Sequence, residues 1–252
     1  MKVVAVIPAR YASTRLPKKP LANIGGRPMV HHVWERARAA KGVHEVVVAT
    51  DDDRIVDAVK AFGGEAVLTS SSCESGTDRV AEVARFRPSD IFINVQGDLP
   101  LVPTSMIEAV IGAFDDPSVR MATLAREIHD PQDVYNPHVV KVVMNVRGDA
   151  LYFSRAAIPH VRDRSDRGVD VPQPDTFYQH FGLYGYRRDL LLEFAGWPVG
   201  RLERLEKLEQ LRALEQGCPI RVVVTDEQTH EVNTLEDLER VRDLLTSHSE
   251  RL

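Results

Sequence analysis

The run Val3-Val4-Ala5-Val6-Ile7 constrains the fold of this chain more than any other stretch. Five consecutive apolar residues, four of them β-branched, suit a parallel strand covered on both faces, because a strand with one wet face alternates apolar and polar positions. Pro8 stops the run. The loop that follows carries Arg10, Ser13, Arg15, Lys18 and Lys19, with Pro17 and Pro20 set among them. In open α/β sheets ligands bind beyond the carboxyl ends of the strands, so four cations and a hydroxyl at that end form a cradle for a polyanion. Arg offers phosphate a bidentate fork and Lys a point charge. On composition alone a basic run is more often a solvated loop. Its direct exit from the strand and its stiffening prolines favour a preformed site. No Walker-type glycine loop is present, so the grip comes largely from side chains.

The pattern after this loop repeats strand and helix. Residues 28–40 have Met29, Val33 and Ala37 at helical spacing, and 45–50 form a second apolar strand. Asp52 and Asp53 read as caps of a helix over 54–62, and 66–68 as a third strand. This β-α-β-α-β alternation predicts a Rossmann-like α/β fold, a parallel sheet with helices on both faces. A helix over 78–86, a strand over 90–95 and a helix over 104–114 continue it. The second half reads as strands over 121–127, 139–144, 150–154, 178–187 and 220–224, with a short helix over 190–195. Residues 201–216 read as one amphipathic helix with Leu202, Leu205, Leu208 and Leu211 on a single face, stopped by Gly217. The last helix begins at Asn233 or Thr234, either of which suits the N-cap. Residues 162–176, rich in Arg, Asp and Pro, read as an exposed loop. With no internal repeat and no linker, parts 1–120 and 121–252 are expected to share one structural domain, the second folded onto the sheet of the first.

Charge narrows the ligand. The net charge of −5 over 252 residues gives no global attraction for nucleic acid, whereas a local basic loop suits a small anion. No apolar run reaches membrane-spanning length, and the N-terminus has no signal-peptide pattern, so a cytoplasmic location is expected. Cys73 and Cys218 have no metal-ligand spacing.

Two further stretches carry chemistry. In Ser75-Gly76-Thr77 a hydroxyl can simply cap the next helix; alternatively Gly76, lacking a Cβ, lets a flat ring approach the backbone while the hydroxyls read a base edge. In Gln96-Gly97-Asp98 a carboxylate follows a buried strand, a recurring way to hold Mg²⁺ beside phosphates, although Asp98 could equally start a turn.

Together these segments closely resemble the 3-deoxy-manno-octulosonate (Kdo) cytidylyltransferases, or CMP-Kdo synthetases. The similar motifs are PARYASTRLPKKPL at 8–21, ATD at 49–51, SGTDR at 75–79, NVQGD at 94–98, HVVKVV at 138–143, ALYFSRAAIP at 150–159, YQHFGLYGYR at 178–187 and LEKLEQLRAL at 205–214. The resemblance runs nearly end to end. It implies a nucleotidyltransferase fold with a mixed, mostly parallel sheet and a smaller α+β insert. It also implies an Mg²⁺-dependent, cytoplasmic, homodimeric enzyme joining CTP to a sugar acid in lipopolysaccharide biosynthesis. By matching motifs, Arg10, Ser13, Arg15 and Lys19 would hold the triphosphate, while Asp51, Ser75, Thr77 and Arg79 would line the cytidine site. Gln96 would sit at the nucleotide–sugar junction and Asp98 would ligate Mg²⁺. Arg155, His180, Tyr184, Glu209 and Gln210 would bind the sugar acid.

Two positions depart from the common pattern. Leu99 stands where these enzymes usually have Glu, and Asn233 replaces the Asp expected as second metal ligand. An amide oxygen still ligates Mg²⁺ but brings no charge. Segments 200–215 and 231–237 resemble a subset that uses 8-amino-8-deoxy-Kdo. The acceptor is therefore open between Kdo, its 8-amino analogue and another small carboxylate or phosphonate. A nucleotide-binding protein without catalysis is the alternative from another class.

Overall fold

The computed structural model describes residues 1–12, 16–162 and 177–249. In chain order its strands and helices are β1 (Val3–Ala9), β2 (Asn23–Ile24), β3 (Arg27–Pro28), α1 (Met29–Ala39), β4 (Glu45–Thr50), α2 (Asp53–Ala61), β5 (Glu65–Leu68), α3 (Gly76–Phe86), β6 (Ile91–Asn94) and α4 (Thr104–Gly112). The second half adds β7 (Met121–Glu127), α5 (Pro131–Tyr135), β8 (Lys141–Met144), β9 (Ala150–Ser154), β10 (Tyr178–Arg187), α6 (Arg188–Gly196), α7 (Arg201–Glu206), α8 (Leu211–Glu215), β11 (Arg221–Val224) and α9 (Leu235–Ser249). The expected loop over 163–176 lies outside the described residues.

β1 sits inside the main sheet, paired parallel with β4 on one side and β6 on the other. The strand order is β11-β7-β10-β6-β1-β4-β5, with β8 and β9 continuing from β10. β10 runs antiparallel to both β6 and β7, which makes the sheet mixed. Alternate residues of β1 enter two different cores. Val3, Ala5 and Ile7 meet Val30 and Val33 of α1, Ile55 and Val59 of α2, and Ile107 and Val110 of α4. Val4 and Val6 meet Val80, Ala81 and Ala84 of α3, and Leu190, Leu191 and Phe194 of α6. A strand sandwiched this way has no wet face, which is why its apolar run is unbroken. α9, through Leu238 and Val241, and Val232 just before it pack separately onto Leu16, Ile24 and Met29, and so bring the chain's last segment beside the basic loop.

The single helix expected over 201–216 is two short helices. Lys207 takes the left-handed conformation (φ 55°, ψ 46°) and ends α7, its N–H bonded to the Glu203 carbonyl. Leu205 is exposed while Leu208 and Leu211 are buried, so the four leucines share no common face. Tertiary bonds impose the break. Arg155 Nε donates to the Glu206 carbonyl at 2.8 Å, and the Glu206 carboxylate accepts from Ser154 Oγ and the Arg155 N–H. Glu209 and Gln210 thereby fall in the connection, and Glu209 turns to Thr77 of α3.

Candidate active site

The carboxyl ends of β1, β4 and β6 lie side by side, with Ala9 opposite Thr50 and Val6 opposite Asn94. Two glycines let the following loops close on one another. A Cβ on Gly97 would stand 2.7 Å from the Pro8 carbonyl oxygen, and one on Gly76 would stand 3.2 Å from Pro8 Cγ. The result is a cleft of about 340 Å³ lined by Arg10, Lys19, Gly76, Gln96 and Asp98, among others.

Lys18 adopts a left-handed backbone (φ 61°), uncommon for a residue with a Cβ, and leads Lys19 into this cleft. Lys19 Nζ donates to Asp98 Oδ2 at 2.8 Å and to Asn233 Oδ1 at 3.2 Å. Thr234, not Asn233, caps α9: its Oγ1 accepts from the Asp237 N–H, and Asp237 Oδ2 accepts from the N–H groups of Asn233 and Thr234. The Asn233 amide is thereby released to the cleft, where Nδ2 donates to Glu231 Oε2 at 3.1 Å. The Val232 N–H bonds the Asp98 carbonyl at 2.9 Å and fixes this segment against the end of β6. Glu231 is exposed overall, yet desolvation and the Asp98 charge raise its carboxyl above the usual range, against the Asn233 amide and Lys19.

Two oxygens, one anionic, converge on the Lys19 ammonium from separate parts of the chain. An all-oxygen set suits a hard cation such as Mg²⁺. Among the described residues no group of three or more His, Cys, Asp or Glu is poised on a metal.

Arg10 crosses the mouth of the cleft, Nη2 donating to the Cys73 carbonyl at 2.6 Å. Tyr11 lies under the Arg54 guanidinium, 3.4 Å from the ring centre, and Asp52 holds Arg54 through two side-chain bonds. Asp52 also caps α2, whereas Asp53 is its first helical residue. Ser13 and Arg15 lie outside the described residues.

The opposite wall is built on α3. Ser75 caps this helix in a reciprocal box with Asp78. Arg79 is fully buried and donates to Asp51 Oδ2 at 2.5 Å and Thr69 Oγ1 at 2.7 Å, so it braces the ends of β4 and β5. Thr77 Oγ1 donates to Glu209 Oε2 at 2.7 Å. Burial raises the Glu209 carboxyl above its usual range, against the hydroxyl bonds and Arg212. Glu209 Oε1 and Gln210 Nε2 are buried without a hydrogen-bond partner. Arg79 Nε and Thr229 Oγ1 are likewise buried without one, and Arg212 Nη2 stands 4.0 Å from Glu209 Oε1.

β10 supplies the remaining wall. A register shift between Phe181 and Tyr184 exposes two carbonyls to Thr123 Oγ1, at 3.0 Å from Phe181 and 2.9 Å from Leu183. With its proton donated there, Thr123 accepts from His180 Nε2 at 3.0 Å, which assigns the Nε2–H tautomer and leaves Nδ1 an acceptor. Burial pushes the His180 imidazole down to about 3. Tyr184 lies 5.5 Å from the His180 ring, its phenol raised by burial and by the charges of Glu209 and Glu231.

The Arg155 guanidinium is taken up by main-chain carbonyls: besides Glu206, Nη1 donates to the Pro137 carbonyl and Nη2 approaches that of Lys207. The Leu99 side chain, next to Asp98 in sequence, does not open on the cleft. It is buried in the core with Val95, Val102 and Met106, so its departure from Glu changes packing instead of cleft charge. Sequence reasoning missed Thr123 and Glu231. The first has no local signal; the second stands two residues before Asn233.

Residues 4–234 match the family model described as cytidylyltransferase. The chain is 53% identical over 245 residues to the 3-deoxy-manno-octulosonate cytidylyltransferase of Myxococcus xanthus, covering 97% of this chain and 96% of that protein. It is 52% identical over 249 residues to the enzyme of the same name from Geobacter sulfurreducens, covering 97% and 100%. A solved CMP:2-keto-3-deoxy-manno-octonic acid synthetase in complex with CTP superposes with a TM-score of 0.91 at 44% identity, covering 98% of this chain and all of that one. A cytidylyltransferase from Leptospira borgpetersenii shares the fold, with a TM-score of 0.65 at 17% identity.

Proposed function

The chain belongs to the cytidylyltransferase family, and on that premise we propose that its cleft joins CTP to 3-deoxy-manno-octulosonate, giving CMP-Kdo and pyrophosphate. The observation that carries the reading is the convergence of Lys19, Asp98 and Asn233 beyond β1 and β6, beside two glycines that leave room against Pro8.

The anomeric hydroxyl of the sugar attacks the α-phosphorus in line. A new O–P bond forms, the hydroxyl gives up its proton to solvent, the bond from the α-phosphorus to the bridging oxygen breaks, and pyrophosphate leaves with its electron pair. The protein's part is alignment and charge stabilisation. Arg10, Arg15 and Lys19, with Ser13, would hold the triphosphate. Asp51, Ser75, Thr77 and Arg79 would shape the cytidine site, with Gln96 at the junction. Asp98 and Asn233 would hold Mg²⁺, which when bound neutralises charge growing on the phosphate oxygens. Lys19 would then turn from these oxygens to the phosphates. Glu209 Oε1 and Gln210 Nε2 would pair with sugar hydroxyls, and His180 Nδ1 with another. Arg155 would act from behind, by holding the 206–207 break that presents Glu209. Residues 1–120 would carry the nucleotide and 121–252 the sugar acid and a homodimer contact. No described helix is long and apolar enough to cross a membrane, in keeping with the cytoplasmic role we assign.

The 8-amino analogue of Kdo is a second acceptor to be tested, on the resemblance carried by segments 200–215 and 231–237. The experiment is phosphorus NMR of CTP with Mg²⁺ and Kdo. The wild type should give CMP-Kdo and pyrophosphate, and Asp98→Ala should give neither; an active Asp98→Ala protein removes the metal assignment.

A further inference from the structure

Resting on this reading of the cleft, we propose that Glu231 supplies the second negative charge of the divalent-cation position formed by Asp98 and Asn233. Of the two side chains bonded to Lys19 Nζ, only Asp98 is charged. One carboxylate balances an ammonium; a divalent ion in its place is left with a charge those two side chains do not match. Glu231 stands directly behind the neutral member, its Oε2 accepting from Asn233 Nδ2 at 3.1 Å. That bond orients the amide so that Oδ1 faces the cation position. It also sets a carboxylate behind a neutral ligand, and such outer carboxylates strengthen metal binding. The bond from the Val232 N–H to the Asp98 carbonyl keeps the two anionic groups at a fixed separation.

Glu231→Gln tests this, because it keeps an oxygen for Asn233 and removes only the charge. Equilibrium dialysis measures CTP binding to the full chain in EDTA and in Mn²⁺. In EDTA the variant should bind CTP as well as the wild type or better, since a charge that repels polyphosphate is gone. The tightening caused by Mn²⁺ should fall about tenfold. Adding Asn233→Asp to Glu231→Gln should restore it to within about twofold. Mn²⁺-dependent tightening that stays within about twofold of wild type overturns the proposal, as does a parallel loss of affinity in both conditions. A wild-type chain that takes up no CTP sinks the cytidylyltransferase reading instead. Titration of Mn²⁺ alone, followed by electron paramagnetic resonance, then decides the point: weaker binding in Glu231→Gln supports it and equal binding overturns it.

Discussion

His180 makes a pH dependence that belongs to the fold and not to the chemistry. Its ring is buried against Phe153 and Tyr184 and is bonded through Nε2 to Thr123, and burial lowers its pKa from 6.5 to about 3. In the unfolded chain the imidazole takes up a proton that the folded chain refuses. The folded-state pKa is the lower one, so this contribution is fully present above 6.5 and is lost as pH falls from 6.5 toward 3. The slope is about 1.4 kcal/mol per pH unit, and at about pH 5 the loss is about 2 kcal/mol. For a chain of this size that lowers Tm by about 4–8 °C. The assay is thermal unfolding of wild type and His180→Gln at about pH 7.5, 6 and 5. Gln cannot titrate, so the wild type should lose Tm faster on acidification and the difference between the two should shift by the stated amount. Parallel Tm curves for the two proteins would refute the reasoning.

Three further outcomes follow from the packing. Arg212 and Glu203 form a buried two-bond ion pair at 2.8 and 2.6 Å, so Arg212→Met leaves a buried carboxylate unpaired and should cost about 3–5 kcal/mol in urea unfolding. Gly97→Ala drives a Cβ to 2.7 Å from the Pro8 carbonyl; the strand exits must part, and CTP affinity should fall by about 1–3 kcal/mol by calorimetry. Arg155→Met frees three main-chain carbonyls. It should raise KM for the sugar acid about tenfold while leaving CTP affinity within about twofold, and an unchanged KM removes its positioning role.

The parts of the fold that were legible are those where burial acts on consecutive residues. The unbroken Val3–Ile7 run could only be a covered strand, and its partners with the same character fell in line beside it. The pairing of the basic loop with Asp98 followed from strand ends meeting at one edge of the sheet. What escaped was set by contacts distant in sequence. Residues 201–216 have helix-forming residues and leucines at helical spacing, and nothing local announces the break at Lys207; it comes from Arg155 and Ser154, some fifty positions earlier. Leu99 follows Asp98 directly in sequence, yet its side chain faces the core, and residue type at that position does not announce it. Asn233 and Thr234 were equivalent as caps by residue type. Asp237 takes Thr234 as the cap, which leaves the Asn233 amide to Lys19 from the other end of the chain and to Glu231.

The central claim is cytidylyl transfer to a 3-deoxy-2-keto sugar acid. Pyrophosphate release from CTP and Mg²⁺ measures it directly, with Kdo, with 8-amino-Kdo and with no acceptor. The account predicts release that depends on one of the two sugars and is absent without either. Silence with both sugars, in a protein that still binds CTP, would contradict it.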